Sequence, residues 1–255
     1  MTLQISPKRL AYVLAFVASW LGFVNIAIHF AVYILGYDHL LRFAGPFTFR
    51  GNTTLAKWFA SSNLLFCAAL LAVIAWGKIR ERDAYRSHWA ALALIFCAVS
   101  VVETTGLHEM TTAPLKAVVP ATGFLFHTWV VLGMLFTLVV ALFYVRFLLH
   151  LPPETRRLFT LAATLYVGGA LGIEILRGPY NEIYGAKHMT AEFMKTFEEF
   201  CQMSGIVVLI YALLLYIRMY IKELNLTFDD TSLSTLASVR ARTRHSSNLD
   251  ASPNI

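Results

Sequence analysis

Residues 198–217 read EEFCQMSGIVVLIYALLLYI, and from Phe200 to Ile217 the run holds no Asp, Glu, Lys or Arg. About 20 mostly apolar residues carry a helix across a ~30 Å hydrocarbon core, so this stretch is read as a membrane span. Composition extends that reading to the whole chain. Of 255 residues, 58% are hydrophobic and 14% charged, with a mean hydropathy of +0.62. Soluble domains carry about 25% charged residues. The apolar residues fall in long blocks, which gives an all-α, polytopic membrane helical bundle.

Working outward from the last block, six transmembrane helices are expected. They run over about Leu10–Leu35, Thr54–Trp76, His88–Leu107, Ala121–Leu149, Leu158–Leu176 and Phe197–Ile221. Basic residues concentrate on the cytoplasmic side of membrane proteins. One side holds Lys8, Arg9, Lys78, Arg80, Arg82, Arg86, Arg146, Arg156, Arg157, Arg218 and Lys222, eleven residues, or fourteen with Arg240, Arg242 and Arg244. The other holds seven: Arg42, Arg50, Lys57, Lys116, Arg177, Lys187 and Lys195. Both termini are therefore expected in the cytoplasm, as in a bacterial inner-membrane protein, with residues 1–223 as the membrane domain. The segment 224–255 is too polar to bury a core and is expected to be a disordered tail. Positive-inside bias accounts for the net charge of +6. A basic cytoplasmic face attracts anionic lipid, and no nucleic-acid motif is present. Cys67, Cys97 and Cys201 lie in or beside apolar segments without a CxxC spacing, as buried thiols do.

The stretch ETTGLHEM (103–110) puts ionisable groups at the end of the third span. At 1.5 Å per residue, Glu103 lies roughly 22 Å up that helix and Glu174 roughly 24 Å up the fifth. His29 on the first span, His127 on the fourth, and Glu198, Glu199 and Gln202 on the sixth reach the same level. Asn25, Ser61, Ser62 and Asn63 add neutral polar groups there. Intramembrane ionisable residues face the bundle interior, pair, and mark functional sites. A polar pocket near the outer face is the expectation. Gly106 predicts a kink or an early helix end. Glu198 and Gln202, four apart, share a helical face, Glu174 and Arg177 have the spacing of an ion pair, and the Gly168–Gly172 run has the small-xxx-small pattern of close helix packing.

Converging acids and imidazoles need neutralising, and a divalent metal (zinc, iron or manganese) does this directly. Glu103, His108, His127 and Glu199 are the expected ligands, with Glu174 or Glu109 as a further ligand or the catalytic general base. Such a site activates water for a membrane-embedded enzyme acting on a lipid or lipid-like substrate. The chain has no Glu-x-x-His pair of the di-iron bundles and no His-Glu-x-x-His. Two rival readings remain. The acids serve as the relay of a proton- or ion-coupled transporter, or His29 and His127 ligate a b-type haem. An accessory scaffold, with the polar groups serving helix association only, is the bland alternative.

ETTGLHEM together with EEFCQMSGIVVLIYALLLYI resembles a group of uncharacterised six-helix bacterial membrane proteins. The resemblance implies a shared six-helix fold with acidic helix ends, and no activity. In that pattern acids are expected where this chain has Val102 and Gln202.

Overall fold

The computed structural model describes residues 6–37, 39–49, 51, 54–118, 121–185 and 188–220, apart from the side chains of Leu41, Arg42 and Glu109. The proposed tail lies outside the described residues. In chain order the helices are α1 (Pro7–Tyr33), α2 (Leu40–Ala44), α3 (Leu55–Arg80), α4 (Arg86–Thr105), α5 (Leu107–Met110), α6 (Thr112–Leu115), α7 (Trp129–His150), α8 (Pro153–Val167), α9 (Glu174–Tyr184) and α10 (Met189–Tyr220). A π-helical turn, Gly168–Ile173, joins α8 to α9, and 3-10 turns occupy Gly45–Phe47 and Gly123–Leu125. No strand occurs among the described residues. Six helical segments are long and apolar enough to span a membrane: α1, α3, α4, α7, the α8–α9 unit and α10.

Local chemistry sets the helix ends. Pro7 and Pro153 open α1 and α8, where proline's missing N–H is no loss. Thr54 caps α3 by accepting from Lys57 N at 3.2 Å. Gly106 stops α4 with φ 65° and ψ 24°, its N–H bonded to Val102 O. A left-handed residue at this point ends a helix, and glycine adopts it without a Cβ penalty.

Three boundaries differ most from the sequence reading. α7 starts at Trp129 and not at Ala121, because Thr122 is extended and Gly123 has φ 54°. The fifth span continues to Tyr184 through Pro179, and the sixth begins at Met189. Hydropathy marks where lipid contact ends, whereas a helix continues as long as its backbone bonds and polar faces are satisfied. Proline inside a membrane helix is tolerated when neighbours support the chain. Here Gly178 packs so tightly that an added Cβ would lie 2.5 Å from Gly123 O. Pro153–Tyr184 and Met189–Tyr220 are each 32 residues long, about 48 Å at 1.5 Å per residue. That is longer than the ~30 Å a bilayer core requires.

α10 is the centre of the bundle, packed against α1, α3, α8 and the π-helical turn. In its apolar window 56% of residues are buried, as in α3, against 11% in α4 and α7. α3 and α10 therefore form the interior, and α4 and α7 turn most of their apolar surface to the outside of the bundle. Leu64, Cys67, Leu71 and Ile74 of α3 meet Met203, Ile206, Ile210 and Leu213 of α10 in one core. Close approach of α8 and α10 depends on Gly205, where a Cβ would stand 2.8 Å from Ala162 O and Tyr166 N. At the end of the bundle where α10 finishes, Trp89 packs edge-on to Phe147 (4.9 Å) and against Tyr216 (4.9 Å). The opposite end, where α10 begins, holds the buried charged side chains found among the described residues.

Candidate functional site

Lys195 on α10 organises the site. Residues three and four apart share one side of a helix, and Lys195 Nζ lies 2.6 Å from Glu198 Oε1 and 2.9 Å from Glu199 Oε1. Gln202, one turn further, donates to Glu198 Oε1 at 3.2 Å, so the expected shared face is present. Both glutamates are 2% exposed. Of the glycines in the Gly168–Gly172 run, Gly169 alone packs closely: a Cβ there would lie 2.9 Å from Glu198 O and 3.2 Å from Gln202 Cγ, whereas Gly168 and Gly172 meet nothing within 4 Å.

α9 supplies the facing group. Glu174, Arg177, Gly178 and Asn181 follow the i, i+3, i+4, i+7 spacing of one helical face. Arg177 forms a two-point ion pair with Glu174 through Nε, at 3.2 Å, and Nη2. The same Nη2 lies 3.6 Å from Glu198 Oε2, tying α9 to α10. His127, in the turn before α7, points Nδ1 at Glu174 Oε1 (3.4 Å), and Asn181 Nδ2 meets its Nε2 at 2.9 Å. A continuous chain of polar groups therefore runs Asn181–His127–Glu174–Arg177–Glu198–Lys195–Glu199.

The surroundings of His127 favour its neutral form. Burial pushes its pKa below the ordinary histidine value, with Arg177, Lys195 and Lys116 acting in the same direction and Glu174 opposing them. A neutral imidazole donates from one nitrogen and accepts at the other. The two partners select the tautomer with Nδ1–H toward Glu174 and Nε2 accepting from the Asn181 amide. Three carboxylates (Glu174, Glu198, Glu199) then face two permanent cations (Arg177, Lys195). The chain of groups is one proton short of neutral.

A second arm crosses to α1. His29 Nε2 lies 3.4 Å from Glu192 Oε2, both side chains being almost fully buried. Asn25 donates to Thr196 Oγ1 at 2.7 Å and accepts from Phe49 N at 2.9 Å. A third group borders the site from α8, where Tyr166 stands within electrostatic range of Glu103 and Glu199. On the α3–α4 side Ser61, Ser100 and Thr104 bond one another, and Asn63 donates to Phe59 O of its own helix.

The metal-ligand set expected from the sequence is not assembled. Among the described residues no three His, Cys, Asp or Glu side chains converge as ligands. The cause is twofold. Lys195 and Arg177 already pair directly with the carboxylates, offsetting two of their three charges. The left-handed Gly106 turns the chain so that His108 packs edge-on against Trp129, at 4.8 Å. Glu103 is half-buried on α4, Glu199 is bound to Lys195, and His127 serves Glu174. The Glu109 side chain lies outside the described residues. His29 and His127 face different carboxylates, on α10 and α9 respectively.

Sequence reasoning missed Glu192, Thr196 and Asn181, and it took Lys195 only as one of the seven basic residues on the side opposite the termini. The signal was present in the 192–195–199 and 174–177–181 spacings. It was hidden because both segments were assigned to loops or helix ends.

The chain belongs to a family described as a domain of unknown function (DUF8692), which matches residues 10–217. That span takes in all six apolar helices and the whole charged network. No curated protein and no solved structure matches the chain.

Proposed function

We propose that this membrane protein binds and releases protons at the Glu174–Arg177–Glu198–Lys195–Glu199–His127 network, as the proton site of a coupled carrier. One observation carries the reading: three buried carboxylates, two permanent cations and one imidazole stand in direct contact. Buried charge without a counter-charge is expensive, so the network favours taking up one more positive charge. Two carboxylates on a single ammonium form a place where a proton can be held and passed on. Ionisable groups inside membrane helices commonly form such relays. The metal-enzyme reading is weaker, because the protein's own cations fill the place a metal would take. In the insertion that the basic residues favour, both termini are cytoplasmic and the network lies beneath the outer surface.

The experiment is proton flux in liposomes carrying a trapped pH-sensitive dye, with potassium and valinomycin clamping the membrane potential. An imposed pH step should decay several-fold faster with the protein than in empty liposomes. Glu198→Gln/Glu199→Gln should abolish the difference while the purified variant still elutes as folded protein. Infrared titration should show a protonated carboxyl band in wild type that the double variant lacks. Flux equal to empty liposomes together with no such band would rule the reading out.

A further inference from the structure

We propose that the groove between the last turn of α7 and the first turns of α8 holds the phosphate headgroup of an anionic phospholipid from the surrounding bilayer. This site lies at the end of the bundle away from the charged network and does not depend on the proton reading. The groove has a volume of about 510 Å³ and is lined chiefly by Leu148, Leu149, Arg156, Arg157, Thr160 and Leu161.

Its chemistry is that of an interfacial amphiphile. α7 is 22 residues long, about 33 Å at 1.5 Å per residue. Its last turn therefore falls at the edge of the hydrocarbon. Leu149 and Leu161 are 63% and 48% exposed, giving an apolar bed for an acyl chain beside two guanidinium groups. Planar guanidinium groups bind phosphate oxygens in pairs, and basic pockets between membrane helices recognise anionic headgroups.

The two arginines are also uncommitted. Elsewhere at this end Lys78 is bonded to Glu81 (2.7 Å) and lies 3.6 Å from Asp83, and Arg80 stacks on Trp76 at 3.9 Å. Among the described residues the Arg156 guanidinium hydrogen-bonds the Leu149 carbonyl alone, at 3.4 Å. Among the described residues no carboxylate pairs with Arg156 or Arg157, the neighbouring Glu154 included. A free phosphate ion would gain nothing from the exposed leucines, which is why the occupant is assigned as a lipid.

The test is native mass spectrometry of the full chain in detergent, titrated with dioleoylphosphatidylglycerol and, separately, dioleoylphosphatidylcholine. Phosphatidylglycerol should bind at least tenfold more tightly. Arg156→Gln/Arg157→Gln should weaken it by about fivefold per arginine, the factor corresponding to about 1 kcal/mol for each basic residue near an anionic surface. Lys8→Gln/Arg9→Gln removes the same charge at the same end, outside the groove, and should leave binding within about twofold of wild type. Inorganic phosphate at matched concentration should not displace the lipid. Equal binding of the two lipids, an equal loss in the Lys8/Arg9 variant, or displacement by phosphate would each overturn the assignment.

Discussion

Replacing Lys195 by Met tests the charge balance of the network most directly. In wild type the ammonium is 2.6 Å and 2.9 Å from carboxylates whose side chains are 3% exposed. Its loss leaves Glu198 with Arg177 alone, at 3.6 Å, and Glu199 with no cation among the described residues. Breaking a buried ion pair by removing one partner costs about 3–5 kcal/mol. Because the Lys195 side chain keeps 21% exposure, a value near the lower end, about 3 kcal/mol, is expected. The loss should shrink as pH falls, since protonation removes the uncompensated carboxylate charge. Lys195→Met/Glu199→Gln restores the wild-type charge balance and should recover about 1–2 kcal/mol relative to additivity. Unfolding in mixed micelles, followed by the fluorescence of the five tryptophans, measures all three proteins. A loss below about 1 kcal/mol, unchanged between neutral and mildly acidic buffer, would refute the claim that the ammonium balances both carboxylates.

Further outcomes follow from the same geometry. His127 has a folded-state pKa below its ordinary value of 6.5, so its neutral form favours the fold. That contribution is complete above 6.5 and is lost as pH falls through that value toward the folded one. The Tm of wild type should therefore drop on acidification across this window by more than that of His127→Gln. Asn25→Ala leaves the Phe49 N–H without its acceptor and should cost about 1–3 kcal/mol, seen as a lower unfolding midpoint. Gly205→Val places new atoms against the Ala162 and Tyr166 backbone; overpacking of this kind costs about 1–3 kcal/mol, whereas Ser204→Val, outside that contact, should be nearly neutral. Gly106→Ala forces a Cβ into the left-handed region at φ 65° and should cost about 1–2 kcal/mol, with protection from hydrogen exchange reduced at Leu107–Met110.

Some of the site is legible residue by residue. The Glu174–Arg177 pair, the Glu198–Gln202 pair and the helix stop at Gly106 all depend on local spacing or on a single backbone preference, and each appears in the structure. The partners of His127 and His29 do not depend on anything local. Asn181 is 54 residues from His127, and Glu192 is 163 positions from His29 along the chain. The role of Lys195 was hidden for another reason. A lysine beyond an apolar run looks like a solvated helix end, and only the extension of α10 back to Met189 shows that it points inward.

The sequence by itself determined that the chain is a bundle of six apolar helices. Lipid cannot satisfy a bare backbone, so every long apolar block has to become a helix regardless of its neighbours. Only the tertiary structure decided what neutralises the acids. Ion pairing requires atoms from α9, α10 and the turn before α7 to come within a few ångströms. That proximity depends on the glycine contacts that seat α8 and the π-helical turn against α10 and α9 against the turn before α7, and no single helix encodes it alone.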